Sequence, residues 1–222
     1  AQEAVMVFFM LSGFVVSWSV QSSRSPWCFR RYFFKRFIRI YSVWFFAMVF
    51  LWILCFASGD GKASVDYLDF IFNLLMLQDF TYGKPAVLVE PLLGNTPLWS
   101  LHYEWWFYMI FPVLLLVPKY YQRVHIVGIV SLLAACLYAY SPNFIYRLLF
   151  YFSIWWIGVY AAEQLKANGR LTLKDLTYPL LYTSFSSVPL LFLCWQHFDS
   201  GEKLLLGLHP ILEARHLLSS VI

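Results

Sequence analysis

The sequence NTPLWSLHYEWWFYMIFP, residues 95–112, is a hydrophobic run that contains a single carboxylate, Glu104. Thr96 followed by Pro97 predicts the start of a helix, with Thr as the N-cap and Pro at the first helical position. The apolar run 98–117 is as long as a membrane-spanning helix. At roughly 1.5 Å of rise per residue, Glu104 would lie about 11 Å along the axis, beyond the lipid headgroups. This stretch therefore indicates a membrane helix that carries a charge inside the bilayer.

The composition of the whole chain agrees with a membrane protein. Of the 222 residues, 61% are hydrophobic and only 13% are charged, so too few polar side chains are present to cover a water-facing surface. The apolar runs are continuous rather than alternating, which excludes the pattern of an outer-membrane barrel. The predicted spans are residues 5–20, 40–57, 98–117, 124–140, 148–162 and 178–194, with a possible seventh at 204–222. We expect an all-α polytopic transmembrane bundle of about six to seven spans, in one domain over residues 1–222.

The apolar stretch 65–77 is predicted not to cross the membrane. A helix of that length measures roughly 20 Å, against a hydrocarbon core of about 30 Å. Asp66, Asp69 and Asn73 fall on one face of such a helix, which is typical of an amphipathic segment. The sequence therefore predicts a short interfacial or re-entrant helix here.

The distribution of Lys and Arg supports this choice through the positive-inside rule. If 65–77 does not cross, twelve cations lie on the side of loop 21–39 and four on the other side, whereas a crossing helix divides them nine to seven. The four are Lys62, Lys84, Arg147 and Lys203. We therefore predict that loop 21–39 is cytoplasmic and that loop 58–97 is extracytoplasmic or lumenal.

Glu104 is the first candidate functional residue, because an ionisable group at that depth is costly unless it is paired or hydrated. Ser100 and Tyr108 share its helical face, whereas His102 points the opposite way. The alternative interpretation is a carboxylate that only joins two helices through a partner Arg or Tyr. The neighbouring aromatic residues are interpreted as an interfacial belt: Trp99, Tyr103, Trp105 and Trp106.

The second candidate is the basic segment that precedes the second span. Six cations occur between Arg24 and Arg39 with no acid among them. Arg24, Arg30 and Arg31 are interpreted as topogenic charges that also contact anionic lipid, rather than as a nucleic-acid site. Arg36 and Arg39 differ, because they share one helical face and Arg39 already enters the apolar helix. A planar guanidinium in that position suits phosphate oxygens.

Other chemistry-bearing residues give weaker signals. The four cysteines are scattered and have no metal-like spacing. Ser12 and Gly13 interrupt an apolar helix, and the preferred interpretation is close helix packing rather than a nucleophile. His209, Glu213 and His216 lie close together in the last segment, which leaves a metal site or a proton relay open.

Three of these stretches together resemble one family. FFMLSGFVV (8–16), KRFIRIYSVWF (35–45) and LWSLHYEWWFYMIFP (98–112), in that order and spacing, are similar to the motifs of acyltransferase family 3, a group of membrane-bound O-acyltransferases. YFSIWWIGVYAA (151–162) resembles the family's later aromatic run. The resemblance extends from residue 5 to about residue 162.

The resemblance implies transfer of an acyl group, commonly acetyl, from cytoplasmic acyl-CoA to a hydroxyl of a sugar, glycan or lipid at the membrane, without a metal and without a nucleic-acid partner. Arg36 and Arg39 would then neutralise the phosphates of the coenzyme. Glu104 would act in catalysis by orienting a histidine, binding the acceptor hydroxyl or holding an arginine. The substrate-binding candidates are Ser100, Tyr108 and Trp99.

Two departures from the family pattern accompany this resemblance. Ser42 stands where the family usually has proline, and the family's presumed catalytic histidine lies on a helix before the LSGF motif, which this chain lacks. We expect that the first helix and the C-terminal helices belong to a longer protein, and that this fragment alone is inactive. The alternative function is a transporter or channel for a small polar or anionic solute, with Glu104 and Arg39 as pathway charges. A non-catalytic membrane scaffold is a third possibility.

Overall fold

The computed structural model describes residues 2–57, 66–200 and 205–221. Within these ranges the chain forms eight α-helices: α1 Gln2–Gln21, α2 Phe29–Ala57, α3 Tyr67–Leu74, α4 Trp99–Leu114, α5 Tyr120–Tyr140, α6 Phe144–Asn168, α7 Thr177–Asp199 and α8 Ile211–Ser219. Short 3-10 turns lie at Thr81–Gly83, Leu92–Gly94, Thr96–Leu98 and Leu173–Leu176. The predicted all-α class is confirmed.

Five helical stretches are long and apolar enough to cross a membrane: α1, α2, α5, α6 and Leu173–Asp199. The predicted count of six to seven is larger because two of the apolar runs form shorter helices. α4 has 16 residues, and its first predicted turn is a separate 3-10 turn whose N-cap is Asn95 rather than Thr96. The described part of the last run forms only the 9-residue α8, which begins after Pro210.

α2 begins eleven residues before the predicted span at residue 40. The segment from Phe29 to Arg39 was expected in a loop, but it contains no Gly or Pro and is rich in Arg, Lys and Phe, so helix formation continues into the membrane run. The predicted loop 21–39 therefore narrows to residues 22–28. Arg36 and Arg39 lie on the same continuous helix as the apolar residues that follow them.

α3 confirms the prediction of a short helix in place of a span. Its eight residues measure about 12 Å at the usual rise, and the Asp66 side chain caps its first turn by accepting a hydrogen bond from the Leu68 N–H. Asn73, expected on the polar face, is fully buried. Its amide donates to the carbonyls of Asp69 and Glu90 at 2.9 Å, so it fixes the loop that follows α3.

The chain forms two compact units. The first, the α1/α5–α8 unit, comprises residues 1–27, 82–86 and 113–222, and the second, the α2–α4 unit, comprises residues 28–81 and 87–112. The single-domain assignment stays a prediction.

The core of the α1/α5–α8 unit is α6, which is buried along most of its length. α1 lies against it at two glycines. A Cβ on Gly13 would overlap the Trp155 carbonyl oxygen, and a Cβ on Gly158 would overlap the Met10 carbonyl oxygen. The close helix approach predicted from the Ser12–Gly13 pair is therefore present, and a second glycine on the partner helix shares it.

We predict that Gly158→Ala destabilises this unit by roughly 1–3 kcal/mol, because the added methyl group meets the backbone of α1, which has no side-chain freedom to yield. The overlap outweighs the gain in helix propensity of about 1 kcal/mol that alanine brings. The measurement is the thermal midpoint of the purified protein in detergent, followed by size-exclusion chromatography. Gly207→Ala is the matched control, because a Cβ at Gly207 meets no atom within 4 Å. Equal midpoints for the two variants would contradict tight packing at Gly158.

The predicted membrane orientation leads to a labelling experiment. Tyr82 and Leu173 have side chains that are 83% and 82% exposed, and they lie in loops predicted on opposite sides of the membrane. In a background without the native cysteines, Tyr82→Cys is expected to react with a membrane-impermeant maleimide added from outside intact cells or vesicles. Leu173→Cys is expected to react only after permeabilisation. Labelling of both from the same side would show that the stretch around α3 crosses the membrane.

Candidate active site

The candidate site lies within the α2–α4 unit and is built on one face of α2. The buried residues of α2 recur every four positions, which places them on a single helical stripe: Tyr32, Arg36, Ile40 and Trp44. A guanidinium thus stands within an otherwise apolar and aromatic stripe. The corresponding residues of α4 include Glu104, Tyr108 and Phe111, spaced at three and four positions, and all three are buried.

A proline inside α4 determines how the two helices join. Pro112 has no N–H, so the Tyr108 carbonyl one turn earlier has no donor within its own helix. The Tyr32 hydroxyl supplies the missing hydrogen bond at 3.0 Å, and its ring lies 6.1 Å from the Phe111 ring. Tyr32 therefore fixes the position of α2 against the kink-prone part of α4.

Glu104 is only 2% exposed and holds two polar partners on one oxygen. Arg39 Nη2 lies 3.3 Å from Glu104 Oε1, and the Tyr108 hydroxyl donates a hydrogen bond to the same oxygen. Tyr108 is four residues later on α4, so this contact follows directly from the helical repeat. The Arg39 side chain is 37% exposed, so the ion pair extends from the interior of the unit to its surface.

Arg36 lies one turn before Arg39 and is 7% exposed. Its guanidinium carbon stands 5.5 Å from the Tyr32 ring centroid and 5.4 Å from the Tyr108 ring centroid, so the cation is held between two aromatic faces. Among the residues that the structure describes, the Arg36 Nε has no hydrogen-bond partner. Two guanidinium groups around one carboxylate leave this cluster with a surplus positive charge, which favours an anionic ligand.

The structure brings together four of the six site residues predicted from the sequence: Arg36, Arg39, Glu104 and Tyr108. The other two have different contacts. The Ser100 hydroxyl donates to the Pro97 carbonyl at 3.3 Å, and the Trp99 ring packs against Phe80. Tyr32 was not predicted as a site residue. Its four-residue spacing from Arg36, which places both on one helical face, and the unpaired carbonyl created by Pro112 are the features that could have identified it.

Comparison with known proteins identifies the family of this chain. The family model described as an acyltransferase domain, that of acyltransferase family 3, matches residues 1–209. The chain belongs to this family. Over 114 residues it is 34% identical to the acyltransferase MdmB of Streptomyces mycarofaciens, which covers 50% of this chain and 27% of MdmB. The chain thus matches about a quarter of the length of that relative. No solved structure matches it.

Most of the aromatic residues at the start of α4 are buried, whereas an interfacial position was predicted for them. Trp99, Tyr103 and Trp105 are buried, so the interfacial-belt interpretation is wrong for them. The buried phenol of Tyr103 and the half-buried indole of Trp106 find hydrogen-bond acceptors inside the α2–α4 unit. The Tyr103 hydroxyl donates to Asp79, and the Trp106 N–H donates to the Met76 carbonyl at 2.9 Å.

The histidines and the acid of the last segment form polar contacts between α8 and its neighbours. The Tyr138 hydroxyl donates to Glu213 Oε1 at 2.9 Å, and His209 Nδ1 lies 3.2 Å from the same oxygen. The Tyr151 hydroxyl and His216 Nδ1 are 2.7 Å apart. No group of three or more His, Cys, Asp or Glu side chains in the described ranges is arranged to hold a metal. These residues connect α8 to α5 and α6.

We predict that Tyr32→Phe lowers the free energy of unfolding by about 1–3 kcal/mol, because the buried Tyr108 carbonyl loses its donor while the volume stays almost the same. Pro112→Ala restores the backbone donor, so the double variant is expected to recover most of the loss. The measurement is a double-mutant cycle from denaturant titrations in detergent. Additive effects of the two substitutions would show that the Tyr32 hydroxyl and the proline gap are not coupled.

Proposed function

We propose that the intact protein transfers an acyl group, acetyl in the simplest case, from acyl-CoA to a hydroxyl of an acceptor in the membrane. The observation that carries this proposal is the cluster of two guanidinium groups, one buried carboxylate and two buried tyrosines in a member of an acyltransferase family. Family membership favours an enzyme over the alternative of a transporter or channel with Glu104 and Arg39 as pathway charges.

Arg36 and Arg39 are assigned to the donor. Coenzyme A carries several phosphate oxygens, and guanidinium groups bind such oxygens through two parallel N–H donors. Arg36 already has its planar group fixed between two rings, so it pays little conformational entropy on binding and offers its Nε as a donor. The predicted cytoplasmic position of residues 22–28 places this end of α2 on the side where acyl-CoA is available.

Glu104 is assigned to the acceptor. In the transfer, the acceptor oxygen forms a bond to the acyl carbon, the carbon–sulfur bond breaks, and the hydroxyl proton leaves while the coenzyme sulfur becomes a thiol. Glu104 is acceptor-only when ionised, so its carboxylate orients the hydroxyl and lowers the cost of its deprotonation. Tyr108 and Arg39 hold that carboxylate in place. Ser100 and Trp99, earlier on α4, are assigned to contacts with the acceptor or the acyl group.

We predict that Arg36→Gln raises the KM for acetyl-CoA by about tenfold or more, since one lost charge-assisted contact corresponds to roughly 1.5–3 kcal/mol. The measurement is transfer of radiolabel from acetyl-CoA by the intact protein in lipid nanodiscs to endogenous or added hydroxyl acceptors. Arg30→Gln is the matched control, because Arg30 is an exposed cation on the same helix. With S-acetylpantetheine, which lacks the nucleotide phosphates, wild type and Arg36→Gln are expected to react equally.

The same assay tests the carboxylate. Glu104→Gln keeps the shape of the side chain but removes its charge, and kcat is expected to fall by about 100-fold or more while the KM for acetyl-CoA changes little. Unaltered kcat in Glu104→Gln together with an unaltered KM in Arg36→Gln, in variants that insert and fold, would remove the proposed site.

A further inference from the structure

The second half of α2 lines an apolar groove inside the α2–α4 unit. Its volume is about 430 Å³, and α3 and the turn Leu92–Gly94 complete its walls. The residues that matter here are Trp44, Met48, Val49, Phe70, Leu92 and Leu93. The volume falls within the range of pockets that bind small molecules, roughly 300–1,000 Å³. Every side chain in the lining is apolar or aromatic, so the occupant has a hydrophobic body and needs no net charge.

The lining side chains include two indole N–H groups, those of Trp44 and Trp52; Trp52 is 65% exposed, whereas Trp44 is buried. Trp44 is only 6% exposed, and within the described part of the chain its Nε1 has no hydrogen-bond partner. The half-buried indole of Trp106, in the same unit, donates to the Met76 carbonyl at 2.9 Å. A buried N–H without an acceptor costs free energy. A ligand oxygen in the groove would remove that cost, whereas a saturated hydrocarbon chain would not.

The groove and the candidate active site use different parts of the same helix, α2. Trp44 lies five residues after Arg39, and five residues of α-helix extend over about 7.5 Å. Trp44 also shares the buried stripe of Tyr32, Arg36 and Ile40. A ligand in the groove therefore lies along the helix that carries Arg36 and Arg39, and its oxygen can accept a hydrogen bond from the Trp44 N–H.

We propose that this groove binds the acyl acceptor, and that the acceptor is a hydrophobic alcohol with a second oxygen that accepts a hydrogen bond from the Trp44 N–H. The inference rests on the proposed function and narrows its acceptor from any sugar, glycan or lipid to an amphiphilic alcohol. The acyl tail of the donor is the less suitable occupant, because its carbonyl belongs at the reaction centre and the rest of the tail has no oxygen for Trp44. The Phe70 ring, 6.1 Å from the Trp44 ring, closes the groove over the apolar body.

The first experiment measures binding without any acyl donor. The intact protein in phosphatidylcholine nanodiscs is irradiated with a diazirine-bearing 1-O-hexadecylglycerol, and the adducts are mapped by mass spectrometry. We expect labelling on α2 or α3 at the groove residues, with competition by unlabelled 1-O-hexadecylglycerol. Val49→Trp fills the groove and is expected to reduce labelling at least tenfold. Val43→Trp makes the same substitution at a position that is 53% exposed on the opposite face of α2, and is expected to leave labelling unchanged.

Two outcomes would overturn the proposal. Equal labelling in Val49→Trp and Val43→Trp would show that the probe does not occupy the groove. Competition by added phosphatidylcholine as efficient as by 1-O-hexadecylglycerol would show that the groove holds ordinary bilayer lipid.

A second variant tests the role of the indole N–H and does not depend on the tolerance of a large insertion. Trp44→Phe keeps an aromatic wall but removes the donor. It is expected to weaken binding of 1-O-hexadecylglycerol about fivefold, the effect of one ordinary hydrogen bond, and to leave binding of an alkane diazirine of equal length unchanged. An equal effect on both probes, or none on either, would refute the hydrogen bond.

Failure of this inference is distinguishable from failure of the proposed function. If the glycerol ether binds the groove but Arg36 and Glu104 variants transfer acetyl normally, the groove stands and the proposed function falls. If transfer depends on Arg36 and Glu104 but is directed to a water-soluble sugar and is unaffected by Val49→Trp, the proposed function stands and the groove assignment falls.

Discussion

The arrangement of the α2–α4 unit depends on the burial of one charge, the Glu104 carboxylate. A carboxylate that is 2% exposed inside an apolar unit is stable only with partners that carry or donate positive charge. Arg39 and Tyr108 provide both on a single oxygen. Because Arg39 belongs to α2 and Glu104 to α4, their ion pair fixes the two helices together, and the aromatic faces around Arg36 then assemble at the same place.

Much of this arrangement is predictable from the sequence because the signals are strong. A lone acid in an 18-residue hydrophobic run and two arginines at a spacing of three stand out against any membrane sequence. Their pairing was one of the alternatives left open for Glu104. The less predictable parts depend on what surrounds a residue. The start of α2 was predicted too late in the chain because hydropathy falls at the basic segment, although helix propensity does not. The burial of Trp99 and Tyr103 depends on contacts with distant chain segments, which the local sequence pattern does not predict.

Polar satisfaction explains why so many aromatic residues lie inside this unit. Tyrosine and tryptophan pack as large apolar side chains, yet each has one O–H or N–H that can donate a hydrogen bond to a carbonyl or carboxylate oxygen without another partner. Tyr41 donates to the Leu74 carbonyl at the end of α3, and Tyr103 and Trp106 donate to Asp79 and Met76. Irregular backbone between α3 and α4 is thus tolerated in a chain of low polarity. Trp44 departs from this pattern, which is why a ligand is assigned to it.

The proline in α4 also affects the relative positions of the residues assigned to the acyl donor and of those assigned to the acyl acceptor. Tyr32, Arg36 and Trp44 project from the same stripe of α2, and only the first of them is hydrogen-bonded to the backbone of α4 at its proline gap. If α2 moved by one residue along its axis, the buried backbone carbonyl oxygen of Tyr108 would lose its hydrogen-bond donor. The hydrogen bond from the Tyr32 hydroxyl therefore fixes the axial position of α2 relative to α4. In doing so it fixes the axial positions of Arg36, which is assigned to the coenzyme, and of Trp44, which lines the groove.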